Sequence, residues 1–193
     1  MSRERIERVR GAQGFSLIEV LVATTIVVVG IVGFAQLFAL ATHANLHAKQ
    51  TTFAAVLGQQ KMEQLRTLTF SFDALGLPVT DLTTDTAVVP EAADGGTGLT
   101  PSPAGALGRN LEGYCDFVDD NGHVLGGGTT PPSGTVYVRR WSIESLPSNP
   151  ANTLVLQVLV TRARNRRVAD GVTVASRLAD ETRIVSVRAR KAS

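Results

Sequence analysis

From Val20 to Thr42 the chain carries no ionisable side chain. At roughly 20 residues per crossing, such a run is long enough to span a bilayer as a helix. What precedes it sharpens the constraint. A charged leader, residues 1–14 with four Arg and two Glu, gives way to Gly14, Phe15, Ser16, Leu17, Ile18, Glu19, Val20, Leu21, Val22 and Ala23. Glu19 therefore sits inside the start of the apolar run. A carboxylate within a membrane helix costs on the order of 2.5–3.5 kcal/mol at the bilayer centre and less near the surface, so it ordinarily has a partner.

That decapeptide resembles the processing site of type IV prepilins and of type II secretion pseudopilins. The resemblance implies cleavage by a prepilin peptidase between Gly14 and Phe15, and N-methylation of Phe15 as the new terminus. It further implies that Glu19, fifth in the mature chain, meets the terminal amine of a neighbouring subunit during assembly. Such a cation would remove the penalty of burying Glu19, and so would favour one register of association. The implied partners are a prepilin peptidase/N-methyltransferase, other pilin or pseudopilin subunits and inner-membrane lipid. The implied location is the inner membrane, crossed once with the leader cytoplasmic and the globular part periplasmic, and then a filament.

Four segments follow: a leader at 1–14, a transmembrane and assembly helix at 15–42 bounded by Phe15 and Thr42, an amphipathic continuation at 43–69, and a globular β domain at 70–193. No proline occurs before Pro78, so the helix is free to run on to about Thr67. Gly30 and Gly33 interrupt it at a spacing of three, which is not the four-residue small-xxx-small motif. Beyond Thr42, Phe53, Val56, Leu57, Met62, Leu65 and Leu68 recur at three and four residues, with Lys49, Gln59, Gln60, Lys61 and Glu63 among them. That spacing predicts a helix with one face buried on a domain. His43 and His47 have the i, i+4 spacing of metal ligands but lack the glutamate of a zinc-protease motif, and read as polar residues at the membrane boundary.

Residues 70–132 are rich in turn formers, and 92–98, 101–103 and 126–132 read as loop. Short strands are expected at 114–118 and 123–125, joined through Asp119, Asp120, Asn121 and Gly122, since Asn-Gly suits a turn with positive φ. Asp116, Asp119 and Asp120 invite a calcium reading, but the spacing fails the EF-hand pattern. Later strands are clearer. In 135–146, Tyr137, Trp141 and Ile143 share one face and Val136 and Val138 the other. Residues 154–160 form a nearly continuous apolar run suited to a central strand, and 171–175 and 182–188 supply one or two more. The expected fold is α+β: a long helix whose second half carries an antiparallel sheet, as in pilin-like proteins. The later strands, with Tyr137 to Ile143 followed by 154–161, also resemble the sheet of PilV-type minor pilins and GspI-like pseudopilins.

The net charge of +2 lies wholly in the leader, leaving 15 basic and 15 acidic residues beyond it. A nucleic-acid partner is therefore not expected. The remainder is polarised: residues 71–131 hold nine acids and one base (−8), and 132–193 hold eleven bases and four acids (+7). Two halves folded together with solvated charges is the reading preferred over complementarity to a neighbouring subunit. Arg162, Arg164, Arg166 and Arg167 lack nearby aromatics for base stacking and read as a solvated turn in preference to a docking edge. Cys115, the only cysteine, excludes an intrachain disulfide and reads as a small strand residue. His123 is the only histidine of the globular part, and nucleophile-elbow, P-loop and dinucleotide patterns are missing. An enzyme, a cofactor and a metal are accordingly not expected. The leading reading is a structural minor pilin of a type IV pilus, with a type II secretion pseudopilin as the alternative. A third is an exported binding domain cut at Ala39-Leu40-Ala41, though its apolar stretch exceeds the usual h-region of 7–15 residues. An unprocessed single-pass anchor would leave Glu19 without a partner.

Overall fold

A computed structural model describes residues 14–163 and 181–191. Among the described residues one helix, α1 (Leu17–Thr67), is followed by seven strands: β1 (Phe70–Phe72), β2 (Pro78–Thr80), β3 (Cys115–Val118), β4 (Val124–Gly127), β5 (Tyr137–Ser145), β6 (Thr153–Arg162) and β7 (Thr182–Ala189). The α+β layout of long apolar helix and antiparallel sheet is the expected one. The chain divides after Leu46 into two compact units. The first holds the apolar part of α1, and the second holds the remainder of the helix and all seven described strands.

In the second unit, five strands pair antiparallel in the order β4-β3-β5-β6-β7. Alternation along β5 sends Tyr137, Trp141 and Ile143 toward the helix, and Val138 away from it into a cluster with Cys115 and Phe117. On β6, Leu154, Leu156, Val158 and Val160 supply the next apolar row of the helix-facing core. The helix meets these rows with Ala54, Leu57, Gly58, Lys61, Met62 and Leu65. Burying a large apolar side chain there stabilises the fold by about 1.5–3 kcal/mol. The approach is close at Gly58, where an added Cβ would stand 3.0 Å from Ile184 Cδ1 and 3.4 Å from Val160 Cγ2.

The helix end is held by the last strand. Arg188 of β7 donates to the carbonyls of Leu65, at 3.0 Å, and of Leu68, placing a cation where the helix dipole is negative. Arg190 stacks over Phe70 at 4.0 Å and donates to the carbonyls of Ser71, Val79 and Ala151.

Several expectations are corrected. In the turn-rich stretch 70–132, where no strand was expected before 114, β1 and β2 pair in register Phe70↔Thr80. The strand expected at 123–125 runs as β4, Val124–Gly127, and takes two glycines from the expected loop. Val56 was placed on the buried face and is exposed, whereas Lys61 was placed among the polar residues and is fully buried. The strand expected at 171–175, together with Arg164, Arg166 and Arg167, lies outside the described residues.

Candidate functional site

Gly14, Phe15 and Ser16 precede α1, and all three are exposed. The backbone N–H groups of Glu19 and Val20 donate to the Ser16 carbonyl at 3.0 and 3.2 Å, opening the helix. Glu19 thus occupies the first turn, where the helix dipole favours an anion. Its side chain is exposed, with no ion-pair partner among the described residues.

From Leu17 to Lys49, α1 is exposed on all sides apart from Gly33, which is half-exposed. Ile18, Ile26, Val29, Ile31, Phe34, Phe38 and Leu40 all face outward. By length and composition this is a helix able to cross a membrane, and its apolar part is unburied in the chain itself. The polar side chains within it are satisfied locally. Thr24 and Thr25 donate to the Leu21 carbonyl at 3.0 and 2.8 Å, and Thr42 to that of Phe38 at 2.8 Å. Hydroxyls bonded back to their own helix can enter an apolar phase without an unmet donor. Gly30 and Gly33 have no neighbouring atoms within contact distance, so their small size meets no requirement within this chain.

The second half of the helix carries a polar centre that residue patterns missed. Asp116 of β3 stands directly opposite Arg139 of β5. Arg139 donates to both carboxylate oxygens at 2.8 Å, and Lys61 Nζ lies 2.6 Å from Oδ2. All three side chains are fully buried. The Lys61 ammonium also donates to the Thr86 carbonyl at 2.5 Å and sits 4.5 Å from the centroid of the Trp141 ring. Burial lowers the Lys61 pKa; the adjacent carboxylate of Asp116 opposes that shift, and the Arg139 cation adds to it. Arg139 further reaches the helix through the Leu57 carbonyl and Gln60. The arrangement joins helix, sheet and the loop before Ala87 at one point, and its burial leaves no access for a substrate.

The remaining candidates are dispersed. Asp116 faces this buried centre, so it does not join Asp119 and Asp120 in a cation site. Asp119 instead shapes the β3–β4 turn, accepting the N–H groups of Asn121 and His123, each at 2.8 Å. Its oxygen Oδ2 lies 3.1 Å from His123 Nδ1. Among the described residues no group of three or more His, Cys, Asp or Glu could hold a metal. Cys115 is buried in β3, as a small strand residue would be. His43 and His47 lie exposed on α1, and Arg162 donates to Gln50 at 2.9 Å.

Residues 9–35 match the prokaryotic N-terminal methylation motif. With the long apolar helix and the antiparallel sheet that follows it, this match supports a type IV pilin-like protein. Searches of the curated proteins and of the solved structures find no match.

Proposed function

We propose that the protein is a minor structural subunit of a type IV pilus, cut between Gly14 and Phe15, N-methylated on Phe15, and drawn from the inner membrane into the filament through α1. The observation that carries this reading is an apolar helix exposed on every side with one carboxylate, Glu19, in its first turn. Lipid can cover the apolar surface, but only a cation can offset the carboxylate. The methylated amine of a neighbouring subunit has the required charge, and meeting it fixes the axial register. The globular part faces the periplasm before assembly, and the partners are the peptidase, other pilin subunits and lipid. A pseudopilin of a type II secretion system would use the same segment in the same way. The residue patterns of 29–36 and 59–66 lean toward the pilus.

The test is the N-terminal residue and mass of the protein from the native envelope. Methylated Phe15 is the expected start. A start at Thr42 would make it an exported domain behind an ordinary signal peptide, and an intact Met1 or Ser2 a simple anchor.

A further inference from the structure

Asn121-Gly122 is the one Asn-Gly step in the chain, and the other asparagines precede Leu, Pro, Thr or Arg. It lies in the β3–β4 turn, which Asp119 closes by donating its N–H to the His123 carbonyl at 3.1 Å. The Asp119 carboxylate accepts the N–H groups of Asn121 and His123 and passes over the one between them. That Gly122 N–H reaches the Asp119 carbonyl at a long 3.4 Å. Gly122 takes φ +90°, a conformation natural to glycine, while Asn121 keeps a negative φ. The Asn121 side chain is exposed, and its amide donates to Asp120 Oδ1 at 3.1 Å. A weakly held backbone nitrogen, a residue without a side chain and an exposed amide thus meet at one peptide group.

We propose that Asn121 is a site of unaided covalent modification, where the side-chain amide becomes a carboxylate through a cyclic imide. The Gly122 backbone nitrogen loses its proton to hydroxide and attacks Asn121 Cγ. The new N–Cγ bond closes a succinimide ring, the Cγ–Nδ2 bond breaks, and Nδ2 takes a proton from water and leaves as ammonia. Water then opens the ring at either carbonyl. Attack at Cγ gives aspartate in an unaltered backbone, and attack at the backbone carbonyl gives isoaspartate, with the chain running through the side chain. Both reacting atoms belong to adjacent residues, so closure is unimolecular, and the bare glycine leaves the attacking nitrogen uncrowded.

Asp119 is the brake on this reaction. Ring closure requires the peptide between Asn121 and Gly122 to rotate, and the bonds from the N–H groups of Asn121 and His123 to one carboxylate hold it from both sides. The consequence reaches the helix. Gly122 stands against α1, where an added Cβ would lie 3.5 Å from Phe53 Cζ and 3.9 Å from Leu57 Cδ2. Isoaspartate lengthens the backbone at this contact. Either product sets a further carboxylate beside Asp119 and Asp120, where like charges repel. The turn therefore loosens from the helix as the molecule ages, with no enzyme involved.

The experiment follows Asn121 by peptide mass spectrometry in the full-length protein, folded in detergent or unfolded in urea. Ammonia loss and then both acids, separated by chromatography, are expected at Asn121, while Asn110 and Asn152 stay intact over the same period. Between about pH 7 and 9 the rate should rise about tenfold per pH unit, since the attacking nitrogen is the deprotonated one. The folded chain should react more slowly than the unfolded one, and Asp119→Ala should speed the folded chain several-fold. Asn121→Gln should abolish the change, because the longer side chain closes its ring poorly. Aspartate without isoaspartate would overturn the proposal, as it signals direct hydrolysis and no imide. So would equal conversion at Asn110 or Asn152, an intact Asn121 in the folded chain, or an Asp119→Ala rate equal to that of the parent. None of these readouts depends on cleavage after Gly14 or on entry into a filament.

Discussion

Lys61 Nζ and Asp116 Oδ2 lie 2.6 Å apart with neither side chain exposed, and Arg139 holds the same carboxylate from the other side. One anion is thus shared by two cations in the core. Removing the anion leaves two buried positive charges uncompensated, which costs about 3–5 kcal/mol. Removing Lys61 leaves a complete Asp116–Arg139 pair, with the Thr86 carbonyl unmet at about 1–3 kcal/mol and the desolvation cost of one charge relieved. Asp116→Ala is therefore expected to destabilise the domain more than Lys61→Met. Denaturant unfolding of the detergent-solubilised full chain measures both. Equal losses would show that the anion is not the hub.

Gly58 predicts the tolerance of the helix–sheet contact. Its missing Cβ is what lets α1 reach Ile184 and Val160 at van der Waals distance. Gly58→Val should cost about 1–3 kcal/mol by overpacking, despite removing a poor helix former. Gly58→Ala should cost less, since the nearest atom, Ile184 Cδ1, is the mobile end of a side chain. Thermal unfolding of the two variants in detergent orders them, and an equally stable valine variant would mean the layers are not in contact there.

The difference between Gly58 and Lys61 marks how far the sequence could be read. The apolar rows of 137–143 and 154–160 were legible because strand alternation and a continuous hydrophobic run have few other uses. Glu19 stood out as a candidate because a lone acid in an apolar run is costly. Lys61 was not, although it lies four residues from both Leu57 and Leu65 and so on the buried stripe. Its partner is 55 residues away in the sequence, and Asp116 alone does not announce which cation will face it. The short β1–β2 pair was missed because three-residue strands carry too little periodicity, and Arg190, just past β7, secures it through carbonyls that no side-chain pattern encodes.

The loop after β2 should be acid-sensitive. Partial burial pushes the Asp81 pKa up, but bonds from the Thr84 hydroxyl and the N–H groups of Thr84 and Thr83 outweigh it and hold the carboxyl below its usual value of 3.8. A depressed folded pKa means the stabilisation is complete above pH 3.8 and is lost as the pH falls through the folded value. Amide exchange protection at Thr83 and Thr84 should accordingly drop on acidification below about pH 4. Asp81→Asn should remove that pH dependence, and an unchanged profile in the variant would assign it to another group.

Processing tests the start of the chain separately from its fold. A bulky side chain at Gly14 should block a peptidase that cuts between Gly14 and Phe15, without touching any contact, since nothing lies within 4 Å of the missing Cβ. Gly14→Leu is expected to leave full-length precursor in the membrane with an unaltered globular domain. Normal cleavage of this variant, read by N-terminal sequencing, would rule out the proposed site.

Glu19 gives the most direct test of register. Its replacement removes a charge from the first helical turn, where the helix-dipole contribution is only about 0.3–1 kcal/mol and no other described residue pairs with it. The fold and the apolar surface of α1 should therefore survive Glu19→Ala, and insertion should improve slightly because less charge enters the bilayer. Incorporation into filaments should nevertheless fall about tenfold or more, since each 1.4 kcal/mol withdrawn from the contact with a neighbouring amine changes its equilibrium by that factor. Quantifying the variant in membrane and sheared-filament fractions separates the two steps. Glu19→Asp should restore part of the loss if charge sets the register. Incorporation of the alanine variant at the normal level would leave apolar packing as the sole determinant of assembly.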